Sequence, residues 1–199
     1  MNKKIKVLLC VNFLLIISLF IMEIFFNKVL TNIDLYISNI IWSIRTPLLT
    51  DIFKIISFLA STKFIITILI VYIFIKKDAL FPLNMALSTI LNTIIKKLVR
   101  RPRPTNILVR EKSFSFPSGH TMASVSFYGY IIYLLYKSNY KIKKVLIPIL
   151  IILILLIGFS RIYLGAHYLS DVITAYLISI NYLIIFIHVT KKENYHILS

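Results

Sequence analysis

From residue 145 to residue 159 every side chain is aliphatic, aromatic, glycine or proline, and comparable apolar runs recur along the 199-residue chain. These runs constrain the fold more than any other feature. A backbone that enters hydrocarbon must satisfy its own N–H and C=O groups, which leaves helices or closed barrels. Barrel strands alternate apolar and polar residues, whereas these runs are continuous, so the pattern predicts helices. The apolar fraction of 59% and the mean hydropathy of +0.88 place the chain outside the range of soluble globular domains.

Six spans are predicted, over residues 6–26, 53–75, 79–95, 120–136, 145–159 and 171–189, within a single domain of residues 1–199. The first is read as a retained span, because no small-residue cleavage site follows it. Cys10 lies within it as a small packing residue. Lys63 interrupts the second, by snorkelling or because the helix enters the hydrocarbon near Leu59. Between these two spans, Ile33, Ile37, Ile40, Ile41 and Ile44 share one helical face. Thr31 with Asp34 offers an N-terminal cap, and Pro47 limits continuation. A helix over 31–44, too short to span and carrying Trp42, suits the membrane surface. The expected architecture is all-α: a six-span transmembrane helical bundle with a short interfacial helix between spans one and two.

The net charge of +16 does not point to nucleic acid, because the basic residues cluster in the flanks of apolar runs. Lys3, Lys4, Lys6, Lys76, Lys77, Lys137, Lys141, Lys143, Lys144, Lys191 and Lys192 fall on one side of the bundle. Arg45, Arg100, Arg101, Arg103, Arg110 and Arg161, which are all the arginines, fall on the other. Charge count alone leaves the orientation open, because the loop after the third span is strongly basic. Lysine on four connections fits the positive-inside rule with both termini in the cytoplasm and the arginines on the extracytoplasmic side of a cell membrane. Planar guanidinium groups suit bidentate phosphate binding.

Span parity brings three polar segments to that same side. His167 and Asp171 are four residues apart, which on a helix is one face. A carboxylate on one imidazole nitrogen fixes the tautomer and aims the other outward as a nucleophile or base. A helix-terminal ion pair or a metal-ligand pair fits the same spacing. With only seven acidic residues, and only Glu111 and Asp171 near this segment, a two-metal centre is not expected. Pro117-Ser118-Gly119-His120 opens the fourth span, where free backbone N–H groups and the helix dipole favour an anion. Gly119 permits close backbone approach, and His120 is placed to protonate a leaving oxygen. Lys96 and Arg103 close the third span, stiffened by Pro102 and Pro104. Lys97, Arg100, Arg101, Arg110 and Lys112 read as a basic collar for anionic lipid head groups. His188 and His196 lie at the opposite end and carry no expected role.

Together the segments read Lys96-x6-Arg103-Pro104, Pro117-Ser118-Gly119-His120 and Ser160-Arg161-x5-His167-x3-Asp171. In this the chain resembles the phosphatidic acid phosphatase type 2 family, with the core likeness over residues 79–189. The resemblance implies a lipid phosphatase in which His167 attacks phosphorus to form a phosphohistidine, Asp171 supports it and His120 protonates the leaving group. It implies that Lys96, Arg103, Ser118, Gly119 and Arg161 hold the phosphoryl oxygens, with no metal and no cofactor. The implied partner is a membrane lipid phosphate or diphosphate of the phosphatidylglycerophosphate, phosphatidate or undecaprenyl diphosphate class. A lipid phosphotransferase shares the first half-reaction, and an anionic-lipid-binding or transport protein is the alternative of another class.

Overall fold

In a computed structural model the chain is described over residues 2–193, and His196 lies outside them. Eight helices and no strand occur among the described residues: α1 (Lys3–Phe25), α2 (Asn27–Ser43), α3 (Pro47–Phe58), α4 (Thr62–Lys76), α5 (Leu80–Val99), α6 (Gly119–Lys137), α7 (Lys143–Tyr163) and α8 (Leu169–Glu193). Among the described residues, four helical stretches are long and apolar enough to cross a membrane: Lys3–Phe25, Pro47–Lys76, Lys143–Tyr163 and Leu169–Thr190. The helices α5 and α6 fall where spans were expected but carry more polar residues. Those residues meet one another across the bundle. Ser126 Oγ donates to Ser88 Oγ at 2.7 Å, Asn84 Nδ2 to Ser126 O at 2.8 Å, and Tyr182 Oη to Asn84 O at 2.7 Å. Small hydroxyls and amides let helices approach closely where no hydrophobic force separates lipid from protein.

Helix α6 is the axis of the bundle, packed against α5, α7 and α8, while α1 lies on α8 and α3 on α7. Its Phe127, Tyr128 and Tyr130 join Phe81, Ile157, Leu183 and Phe186 in the main core. Phe81 stacks on Phe127 and Tyr130 at centroid separations of 5.1 and 4.9 Å, within the range where ring pairs add to plain burial. Outward faces stay apolar, as with Leu14 on α1 and Phe74 on α4. Cys10 also sits on the exposed face of α1 rather than in packing.

The expected second span is broken. The chain turns at Leu59–Ser61, and Ser61 Oγ caps α4 by accepting from Phe64 N at 3.3 Å, so Lys63 falls in the first turn of a new helix. Thr46 Oγ1 caps α3 at Leu49 N, with Pro47 in the first turn. The helix expected over 31–44 begins four residues earlier, which places Thr31 and Asp34 inside α2 and not at its cap. Asp34 is buried because it has a cation to meet there. Trp42 turns inward, and its Nε1 donates to Ile162 O at 3.0 Å at the end of α7.

Candidate active site

The end of α5, the start of α6, the end of α7 and the start of α8 meet at one end of the bundle, linked by the segment 100–118. Arg100 adopts a left-handed conformation (φ 54°) after α5, a cost of about 1–3 kcal/mol for a side-chain-bearing residue. The turn sends Arg101 inward. Ser115 N then donates to Arg101 O at 2.8 Å, and Ser118 N to Asp171 O at 3.2 Å, which fixes the second segment against the first and third. Gly165 (φ +69°) makes the turn between α7 and α8, and a Cβ there would lie 2.0 Å from Asn106 O.

That turn matters for His167. The residue precedes α8 instead of sharing its face with Asp171, and its N–H donates back to Arg161 O at 3.2 Å. Asp171, in the first turn of α8, accepts from Tyr168 N at 2.9 Å and from Ser115 Oγ through the same Oδ2. The His167 ring approaches that carboxylate from the turn, with Nδ1 3.5 Å from Asp171 Oδ2 and 3.4 Å from Ser115 Oγ. On its far side Nε2 lies 3.1 Å from Arg103 Nη1. A guanidinium only donates, so Nε2 carries the lone pair and Nδ1 the proton facing Asp171 and Ser115. Burial drives the imidazole down to about 3, with Asp171 opposing and Arg103 assisting, so it is neutral at pH 7.

His167 opens onto a cavity of about 420 Å³ that is also lined by Lys96, Arg103, Glu111, Gly119 and His120. Lys96 Nζ donates to Ser115 O at 3.2 Å and to Phe114 O. Arg103 donates to Ser113 O and Ala166 O, both at 2.7 Å. Ser118 is fully buried as the cap of α6, its Oγ accepting from Thr121 N at 3.4 Å. A Cβ on Gly119 would come 3.2 Å from Asn92 Oδ1, so a side chain here would press on Asn92 of α5. Arg161 stands behind the cavity wall, bound to Ser57 Oγ and Glu111. His188 lies far along α8 and takes no part.

Arg101 is the residue sequence reasoning misplaced. Expected in a lipid-facing collar, it is 3% exposed. Its guanidinium meets Glu23 of α1 at 3.2 Å, Asp34 of α2 at 2.8 Å and Asp171 of α8 at 2.8 Å, and lies 4.3 Å over the Tyr168 ring. Burial opposes its charge, but the three carboxylates prevail and raise its pKa. Asp34 in turn accepts from Ser170 N at 3.0 Å, so α2 holds the start of α8 in place. The available signal was two carboxylates, Glu23 and Asp34, in or beside apolar helices, where a buried charge requires a partner. Ser115 and Arg45 were also unassigned. Arg45 grips Tyr163 O at 2.8 Å and Asn106 Oδ1 at 2.9 Å, which makes it a clamp between α7 and the 105–108 loop.

The PAP2 superfamily pattern matches residues 79–195. Phosphatidylglycerophosphatase B of Bacillus subtilis (strain 168) is 34% identical over 141 residues, 65% of this chain and 70% of that protein. A crystal structure described as the first transmembrane PAP2 type phosphatidylglycerolphosphate phosphatase, from Bacillus subtilis, is 29% identical with a TM-score of 0.83, covering 92% of this chain and 96% of that one. Aquifex aeolicus LpxE is 30% identical with a TM-score of 0.64, covering 77% of this chain and 94% of that one. The chain belongs to the PAP2 superfamily. It is a multi-pass membrane protein and a lipid phosphatase.

Proposed function

We propose that the chain hydrolyses a lipid phosphate, with phosphatidylglycerophosphate as the leading substrate, through a phosphohistidine formed on His167. The observation that carries this is the His167 ring itself: neutral, backed by Asp171 at Nδ1, with its Nε2 lone pair beside Arg103 in a cation-lined cavity. The 34% identity to phosphatidylglycerophosphatase B supports the choice of lipid.

In the first step Nε2 attacks phosphorus, the bond from phosphorus to the lipid oxygen breaks, and His120 gives that oxygen a proton. Asp171 stabilises the positive ring as the N–P bond forms. In the second step water attacks the same phosphorus, His120 takes the water proton, and the N–P bond breaks to release orthophosphate. Lys96, Arg103, Arg161, the Ser118 cap and the Gly119 backbone balance charge on the transferring group, a contribution worth on the order of a hundredfold or more per donor in comparable sites. No step requires a metal ion.

In the bilayer, residues 1–199 act as one unit in which α1, the α3–α4 pair, α5, α6, α7 and α8 make six crossings and α2 lies at the interface. Lysines at 76, 77, 137, 141, 143 and 144 mark the cytoplasmic end, which puts both termini inside and the active site outside.

Purified protein in detergent with EDTA should release phosphate from phosphatidylglycerophosphate faster than from phosphatidate or undecaprenyl diphosphate. His167→Ala and His120→Ala should each lose activity, the former by roughly a thousandfold or more. Full activity of His167→Ala, or strict dependence on added divalent metal, overturns the mechanism. Transfer of the phosphoryl group to an added alcohol in preference to water identifies a phosphotransferase instead. A cysteine near Arg110, in a Cys10-free background, should react with an impermeant thiol reagent in intact cells, and protection there reverses the orientation.

A further inference from the structure

Among the residues lining the cavity, Glu111 is the only acidic one. Its two carboxylate oxygens are divided between two arginines: Oε1 accepts from Arg161 Nη2, and Oε2 lies 3.4 Å from Arg103 Nη2. The side chain is 18% exposed, on the cavity side of a loop whose Ser113 and Phe114 carbonyls also accept from Arg103. A carboxylate bridging two guanidinium groups makes the same charge-assisted contacts that two phosphoryl oxygens would make. The protein's own anion therefore holds the two guanidinium groups that a substrate phosphate is to use.

The consequence depends on charge. Glu111 is tethered, so it competes at the high effective concentration of an intramolecular ligand. A phosphodiester head group carries one negative charge on its phosphate and gains nothing by displacing another single charge. A phosphate monoester or terminal diphosphate carries close to two charges at pH 7 and wins the exchange. Phosphodiester lipids crowd any bilayer surface and would otherwise fill a pocket lined by Lys96, Lys97 and Arg103.

We propose that Glu111 is a specificity-determining residue of this phosphatase, an internal anion that keeps phosphodiester head groups out of the pocket and yields to dianionic phosphate ends. This rests on reading the cavity as the phosphoryl site.

The test uses full-length protein in neutral detergent micelles, short-chain phosphatidate as the monoester substrate and short-chain phosphatidylglycerol as the diester inhibitor. In Glu111→Gln the inhibition constant for phosphatidylglycerol should fall by on the order of tenfold relative to the KM for phosphatidate. Glu111→Asp, which keeps the charge, should return that ratio toward the wild-type value. If turnover of a variant is too low to read, the shifts in melting temperature given by the two lipids supply the same ratio. An unchanged ratio in Glu111→Gln, or a Glu111→Asp protein no closer to wild type, overturns the proposal. Wild-type protein inert toward every lipid phosphate overturns the proposed function instead, so the two failures are distinct.

Discussion

Arg101 and Arg103 stand two residues apart, yet they end in opposite electrostatic surroundings on either side of the His167–Asp171 pair. Arg101 is one cation among three carboxylates, Glu23, Asp34 and Asp171, sealed between α1, α2 and α8. On the other side Arg103 and Arg161 share the single carboxylate of Glu111, beside a cavity that Lys96 and Lys97 also line. A guanidinium bridged to three protein carboxylates holds helices together. A cluster short of anions is held ready for one. The contrast teaches that the role of an arginine here is set by how many carboxylates the fold brings to it, and Asp171 belongs to both sides.

The largest effect that would break this contrast is on stability. Arg101→Met leaves three buried carboxylates without their cation and should cost about 3–5 kcal/mol, read as a large drop in melting temperature in detergent. Arg101→Lys should rescue little, since one ammonium cannot span three partners. Normal melting of Arg101→Met would show that the cluster is not a structural hub.

Arg103→Ala should leave a protein that still melts cooperatively while kcat/KM falls by on the order of a hundredfold, because a donor beside the reacting nitrogen is lost. If activity survives, Arg103 belongs with Arg101 as a structural residue.

The histidine between the two regions gives a pH test. Burial holds the His167 pKa near 3 in the folded chain, below its ordinary value near 6.5. Between those values the unfolded chain binds a proton that the folded chain does not, so stability is intact above about pH 6.5 and declines as pH falls. This one group contributes a slope of at most about 1.4 kcal/mol per pH unit. Melting curves of wild type and His167→Gln between pH 4 and 7 should diverge, with the variant the flatter. Parallel curves would place the pKa near its ordinary value.

The smallest effect concerns a contact on neither side. Trp42→Phe removes the bond from Nε1 to Ile162 O and should cost about 1 kcal/mol without moving KM. A changed KM would tie the α2–α7 contact to the site.

Much of this was legible in the chain. Continuous apolar runs gave the helices, because a period of 3.6 and an absence of alternation are local properties. The motif spacing named His120, His167, Asp171, Lys96 and Arg103 for one end of the bundle, because helix parity follows from counting apolar runs. The break at Leu59–Ser61 was hidden, since Ser61 as a cap looks like any serine in a polar-flanked run. The spacing of His167 and Asp171 predicts a helical i, i+4 pair, but the Gly165 turn delivers His167 from outside the helix.

What the sequence determined by itself, then, is an all-helical membrane protein with its cations, imidazoles and one key carboxylate gathered at one end. What only the tertiary structure decided is what Arg101 does. The motif spacing singles out Arg103, but within the proline-flanked basic run nothing separates Arg101 from a collar residue facing lipid. The difference between the two arginines arises from Glu23, Asp34 and Glu111, which are distant or unremarkable in sequence and which only folding brings to 2.8–3.4 Å from one guanidinium or the other.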